Sequence, residues 1–191
     1  MALVLLAAAA WVPIWTTAWL RGRLLQSVVV ATSGLLLSFS LGASPAAAQW
    51  IATPTEAASL VTAGATVLDT RGRLDYFSGH IPGAVRVDWR IGTTGGLLSG
   101  KLGNPSAAAT AFEALGVDRD RPVLVVGSWD GGWGEEGRIA WDLAYLGHPA
   151  ISVLEGGMAA WGGATTLSLP APKRGRFPAK PNEALRATAA S

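Results

Sequence analysis

The sequence predicts an α/β domain built on a central parallel sheet flanked by helices, and three observations carry that expectation. Short, almost wholly apolar runs recur at Thr66 to Asp69 (TVLD), Val123 to Gly127 (VLVVG) and Ile151 to Leu154 (ISVL), as expected of strands covered on both faces. Helix-start and helix-stop signals lie between them. Half of the 191 residues are hydrophobic and 15% are charged, which is too apolar and too sparsely charged for a disordered chain.

Taken in order, Thr53-Pro54-Thr55-Glu56 reads as a helix start. Thr53 can cap, Pro54 suits the first turn, and Glu56 stands three residues after the cap as in a capping box, with Gly64 as the stop. The TVLD strand follows, then a polar stretch from Arg71 to Ser78, then a strand-like alternation from Ala84 to Trp89. A glycine-rich loop runs from Gly92 to Gly103. Asn104-Pro105 opens a second helix that Gly116 closes, and Arg121-Pro122 leads into the VLVVG strand. Glu136 to Leu146 places Ile139, Leu143 and Leu146 on one helical face and ends at Gly147. After the ISVL strand, Met158 to Trp161 reads as a last helical turn. In such a sheet, ligands are expected beyond the carboxyl ends of the strands, here the segments after Asp69 and Gly127.

The domain is expected over residues 49–165, between an apolar N-terminal region and a basic tail. Residues 1–48 contain no acid and no histidine, and their only bases are Arg21 and Arg23. The uncharged run from residue 2 to 20 would span about 28 Å as a helix, close to the hydrocarbon thickness of a bilayer. Arg21 and Arg23, a second uncharged run through Ala43 and the small residues Ala46-Ala47-Ala48 have the order of a secretory signal. A signal peptide, membrane-spanning segments or both are expected here, with residues 1–20 either a first span or an extension ahead of the true start. Both versions place the domain on the non-cytoplasmic side of a membrane, in a periplasm, thylakoid lumen or equivalent. Residues 166–191 are expected to form a basic, disordered tail. Residues 172–191 carry five bases against one acid, whereas residues 49–171 carry 8 bases and 12 acids. No general nucleic-acid binding is expected from that balance.

The chain contains no cysteine. Thiolate nucleophiles, disulfides and thiolate metal sites are therefore excluded. His80 and His148 are the only histidines, and no histidine–carboxylate cluster points to a metal. No cofactor is expected.

The order of signals resembles a known family. Val67-Leu68-Asp69-Thr70-Arg71, Tyr76, Gly79-His80-Ile81-Pro82-Gly83-Ala84, Leu154-Glu155-Gly156-Gly157 and Trp161 together are similar to the rhodanese-like domain over roughly Trp50 to Trp161. The resemblance implies a three-layer fold with a central parallel sheet. In active members it also implies persulfide transfer by a cysteine in the loop after the VLVVG strand. That cysteine would fall at about Gly127 or Ser128. A serine hydroxyl stays protonated at neutral pH and cannot form and release the S–S bond that sulfane sulfur transfer needs. The loop GSWDGGWGEEGR, Gly127 to Arg138, is also longer than the cradle of active members, and the chain looks most like the cysteine-lacking, non-catalytic half of tandem sulfurtransferases.

Two groups of candidate residues follow. A vestigial pocket is expected from Asp69, Arg71, Ser128 and Arg138, with the alternative that Asp69 and Arg71 form an ion pair holding the strand end. A partner-binding loop is expected from Trp129, Asp130, Trp133, Glu135 and Glu136, since aromatics on a mobile, glycine-rich loop are common anchors for a protein, with core insertion of the tryptophans as the alternative. His80 is expected to order its turn rather than act as a base. The leading expectation is a non-catalytic, exported or membrane-tethered module that binds an unidentified protein partner. Alternatives are a small-anion sensor or carrier using the vestigial pocket, a sulfurtransferase component whose cysteine comes from a partner chain, and a hydrolase using Ser128.

Overall fold

The computed structural model describes residues 50–94 and 100–187. The signal and membrane expectations for residues 1–48 lie outside the described residues. Five strands, β1 (Ile51–Ala52), β2 (Thr66–Asp69), β3 (Val85–Arg86), β4 (Val123–Val126) and β5 (Ile151–Leu154), form one sheet in the order β1-β5-β4-β2-β3. Every pairing in it is parallel. Among the described residues the α-helices are α1 (Pro54–Thr62), α2 (Arg73–Phe77), α3 (Pro105–Ala114) and α4 (Glu135–Tyr145).

The strands are buried on both faces because alternate residues feed two separate cores. Along β4, Val123 and Val125 join α3 and α4 through Phe112, Ile139, Leu143 and Leu146, while Leu124 and Val126 point the other way, towards Ala57 of α1, Ile81 and Leu154. This two-sided burial makes the short strands read as continuous apolar runs. Local chemistry sets the helix starts. The Thr53 hydroxyl accepts from Glu56 N at 3.3 Å and the Glu56 carboxylate accepts from Thr53 N at 2.9 Å, a complete capping box. Asn104 caps α3 through Ser106 N and Ala107 N. The sheet and its flanking helices agree with the fold class read from the sequence.

Three expectations are corrected. The alternation from Ala84 to Trp89 yields only a two-residue strand, since β3 is an edge strand that pairs β2 alone. The polar stretch after Arg71 contains the short helix α2, which the sequence hides because Leu74 and Phe77 face solvent. The basic tail is not detached: Phe177 is fully buried in the core on the α3–α4 side. A ladder of backbone contacts holds that segment: Gly175 N donates to Glu113 O, Lys180 N to Leu146 O and Asn182 N to Tyr145 O. The Glu113 carboxylate accepts from Phe177 N at 2.9 Å and pairs with Arg174 at 2.7 Å. Its acidity is strengthened by these two donors, the Phe177 amide first.

Candidate functional site

The expected site lies beyond the carboxyl end of β4, where the chain leaves the sheet and enters α4. Val126 is followed by Gly127 and Ser128, a 3-10 turn at Trp129–Gly131, and Gly134, whose left-handed backbone (φ 80°) turns the chain into the helix. The turn after β5 braces this loop. Gly156 and Gly157 both have positive φ (71° and 59°), a geometry open to glycine at little cost. That turn lets Met158 N donate to Gly127 O at 3.0 Å. A side chain on Gly157 would strike Gly127 O and the Trp129 backbone, which accounts for the paired glycines of the LEGG motif.

Within the loop, Trp129 is left-handed (φ 56°) and is the only described non-glycine residue with positive φ, a conformation rare for a bulky side chain. Trp133 is 96% exposed, and its backbone N–H is fixed by the Glu135 carboxylate at 2.8 Å. The indole is thus presented to solvent by a pinned backbone rather than inserted into the core. A concavity of about 470 Å³ lies beside it, lined by Trp89, Trp133, Gly134, Glu135 and Arg138. Trp89 was not singled out from the sequence, although its aromatic character at the end of a strand pattern was the available signal. Arg90 stacks on it at 4.7 Å.

Glu136 departs from its expected place in a partner-facing loop. It is 7% exposed and lies against Gly127: a Cβ built there would collide with Glu136 Oε2 and stand 2.5 Å from Cδ and 2.9 Å from Cβ. Its Oε2 is buried with no hydrogen-bond partner. Two residues on, Arg138 Nε donates to the buried Asp142, one turn further along the helix, at 2.9 Å, while Arg138 Nη2 and Asp142 Oδ2 have no hydrogen-bond partner. Burial pushes the Asp142 carboxyl up to about 6, against the opposing pull of Arg138. Much of the Arg138 charge is therefore answered from inside the helix.

Half-buried Ser128 follows β4, whose Val126 stands in register with Asp69 of β2. Arg138 lines the concavity beside Trp133, whereas Asp69 and Arg71 form a closed ion pair at 2.7 Å, 1% and 9% exposed. Arg71 also donates to Gly79 O at 2.7 Å, so the pair ties the end of β2 to the GHIPGA turn. His80 is fully buried in that turn and stacks on Tyr76 at 4.0 Å. Its ring nitrogens lie 3.0 Å from Tyr76 O and 3.1 Å from Ser168 O. His148 lies 3.1 Å from Asp118 O and receives Ala150 N. Burial pulls its pKa down first of all. Both imidazoles are thus engaged by backbone, and neither is paired with half-buried Ser128 as the general base that a hydrolase requires. Among the described residues no group of three or more metal-ligating side chains converges. What the loop offers is an exposed indole on a braced backbone and a concavity lined in part by Glu135 and Arg138.

Comparison with known proteins agrees with this geometry. The family profile for the rhodanese-like domain matches residues 53–164. The chain is similar to a putative thiosulfate sulfurtransferase, SseB, of Mycobacterium tuberculosis, with 30% identity over 126 residues, covering 59% of this chain and 44% of that protein. It is also similar to a putative thiosulfate sulfurtransferase of Synechococcus elongatus, with 31% identity over 168 residues, 85% of this chain and 52% of the relative. Among solved structures, SseA from Escherichia coli, described as a 3-mercaptopyruvate sulfotransferase of the rhodanese fold, superposes with a TM-score of 0.61 and 26% identity, over 70% of this chain and 56% of that one. The chain spans about half the length of these curated relatives.

Proposed function

Because the chain belongs to the rhodanese-like domain family and has no cysteine, we propose that it is a non-catalytic member that binds a protein partner through the loop after β4. The observation that carries this reading is Trp133. A fully presented tryptophan on a hydrogen-bonded loop, beside a concavity at the carboxyl end of the sheet, contributes nothing visible to the core and has the character of an interface anchor. Trp129 and Asp130 precede it on the same loop and Glu135 holds its backbone, while Glu136 is buried against Gly127.

Trp133→Ala is expected to leave the melting temperature within error of the wild type while weakening capture of the partner by roughly 1 to 3 kcal/mol, the range for truncating an aromatic anchor. The experiment is affinity purification from native membranes followed by binding titration of the recovered partner. Undiminished capture by the variant would remove the proposal's support. The roughly half-length coverage of the relatives favours one second reading, in which this chain is a component of a sulfurtransferase whose cysteine resides in another chain. Sulfur transfer from thiosulfate to cyanide that appears only when the recovered partner is added back would select it.

The proposal extends to location. The order of Arg21, Arg23, the apolar run and Ala46-Ala47-Ala48 is that of an export signal, so the domain is placed on the non-cytoplasmic side, released or tethered by its N-terminal segments. Protease added to sealed cells stripped of their outer layers is expected to digest the domain. Digestion only from the cytoplasmic face would refute this placement.

A further inference from the structure

We propose that Glu136 sets the ligand selectivity of the loop after β4: its carboxylate occupies the space where a side chain at position 127 would stand and closes the site to small anions. The proposal rests on the placement of the loop, not on the partner reading, so the two can fail separately.

Three observations meet at this residue. The first is position. The loop opens at the carboxyl end of β4 and runs into the N-terminus of α4, an eleven-residue helix with no side-chain cap. Unpaired N–H groups and the helix dipole at such an end favour an anion. The second is occupancy. Oε2, Cδ and Cβ of Glu136 all crowd the place of a Cβ on Gly127, so any side chain at 127 would have to displace the carboxylate. The third is the state of that carboxylate. Glu136 is 7% exposed and its Oε2 accepts no hydrogen bond. A buried acceptor without a donor costs stability, yet the fold keeps this one against Gly127 at the strand end. Glu135 and Asp130 add negative charge to the same loop, whereas Arg138 is answered by Asp142 at 2.9 Å. The chain therefore fills the strand end with its own carboxyl group, and an external sulfate or thiosulfate meets a filled space beside the acids of the loop.

The test uses the full chain and two variants, Glu136→Gln, which keeps the volume and removes the charge, and Glu136→Ala, which removes both. Sulfate and thiosulfate are titrated by calorimetry and by thermal shift at constant ionic strength, with chloride as the control. The wild type is expected to show no saturable binding. Glu136→Ala is expected to bind with a dissociation constant on the order of 1 mM, at least tenfold tighter than the wild type, and Glu136→Gln to lie between them. Binding by Glu136→Ala alone still supports the proposal and assigns exclusion to occupied volume. Wild-type binding equal to that of both variants overturns it, as does failure of both folded variants to bind. If Glu136→Ala does not fold, Glu136→Ser, which also removes both volume and charge, takes its place, and equality of that variant with the wild type overturns the proposal.

Discussion

Phe177→Ala will cost the domain about 3 to 5 kcal/mol of folding stability, the usual penalty for emptying a site built around a large buried aromatic. Phe177 has no exposed surface and packs among the apolar side chains of the α3–α4 side. Its ring meets His148 edge to face at 5.2 Å. The cavity left behind cannot close easily, because the surrounding backbone is held from both directions, through Gly175 to Glu113 and through Lys180 to Leu146. Urea denaturation of the full chain measures the loss. Leu169→Ala in the same C-terminal segment, where the side chain is 66% exposed, is the control and is expected to stay within about 0.5 kcal/mol of the wild type. Equal behaviour of the two variants would show that the C-terminal segment is decoration rather than core.

Arg71→Ala is the second change with a large expected effect, about 3 to 5 kcal/mol at neutral pH. Asp69 is 1% exposed, and Arg71 supplies three of its contacts: the backbone N–H at 3.0 Å, Nε at 3.0 Å and Nη2 at 2.7 Å. The variant retains only the backbone donor and leaves a buried carboxylate without its cation. It also frees Gly79 O, which Arg71 now binds, so the GHIPGA turn loses its tie to the sheet. Asp69→Asn in the same chain removes the stranded charge and is expected to recover part of the deficit. Denaturation midpoints of the wild type, the single variants and the double variant measure this coupling. A loss under 1 kcal/mol for Arg71→Ala would contradict the account of the ion pair as the strand-end clasp.

The parts of the fold that were legible in the sequence are those whose burial is local in origin. The strands at Thr66, Val123 and Ile151 announce themselves because each residue is covered whichever face it takes. The helix starts at Thr53 and Asn104 announce themselves because the capping atoms lie within three residues of the amides they serve. The parts that were hidden depend on contacts between distant segments. Phe177 lies among prolines and bases, and nothing in its neighbours tells that it crosses to α3. Glu136 reads as one more acid in an acidic loop, and its burial follows from the absence of a side chain nine positions earlier, at Gly127. Asp69 and Arg71 were open to two readings, pocket wall or ion pair. The geometry gives the second, since only the paired arrangement satisfies both charges at a strand end with almost no solvent. Trp133 was open to two readings as well. Its exposure assigns it to the surface, which is where the proposed interface needs it.

The docked C-terminal segment has a consequence for the order in which this protein is made. Synthesis delivers the chain from the N-terminus, so all five strands and four helices emerge before Phe177 does. Until it arrives, the nascent domain has a sheet it can pair and a hydrophobic face it cannot finish. Completion is deferred to some of the last residues of the domain, and the unfinished chain stays pliable for as long as they are withheld. Under the export placement proposed above, such a delay would keep the domain open to threading across a membrane until Phe177 arrives.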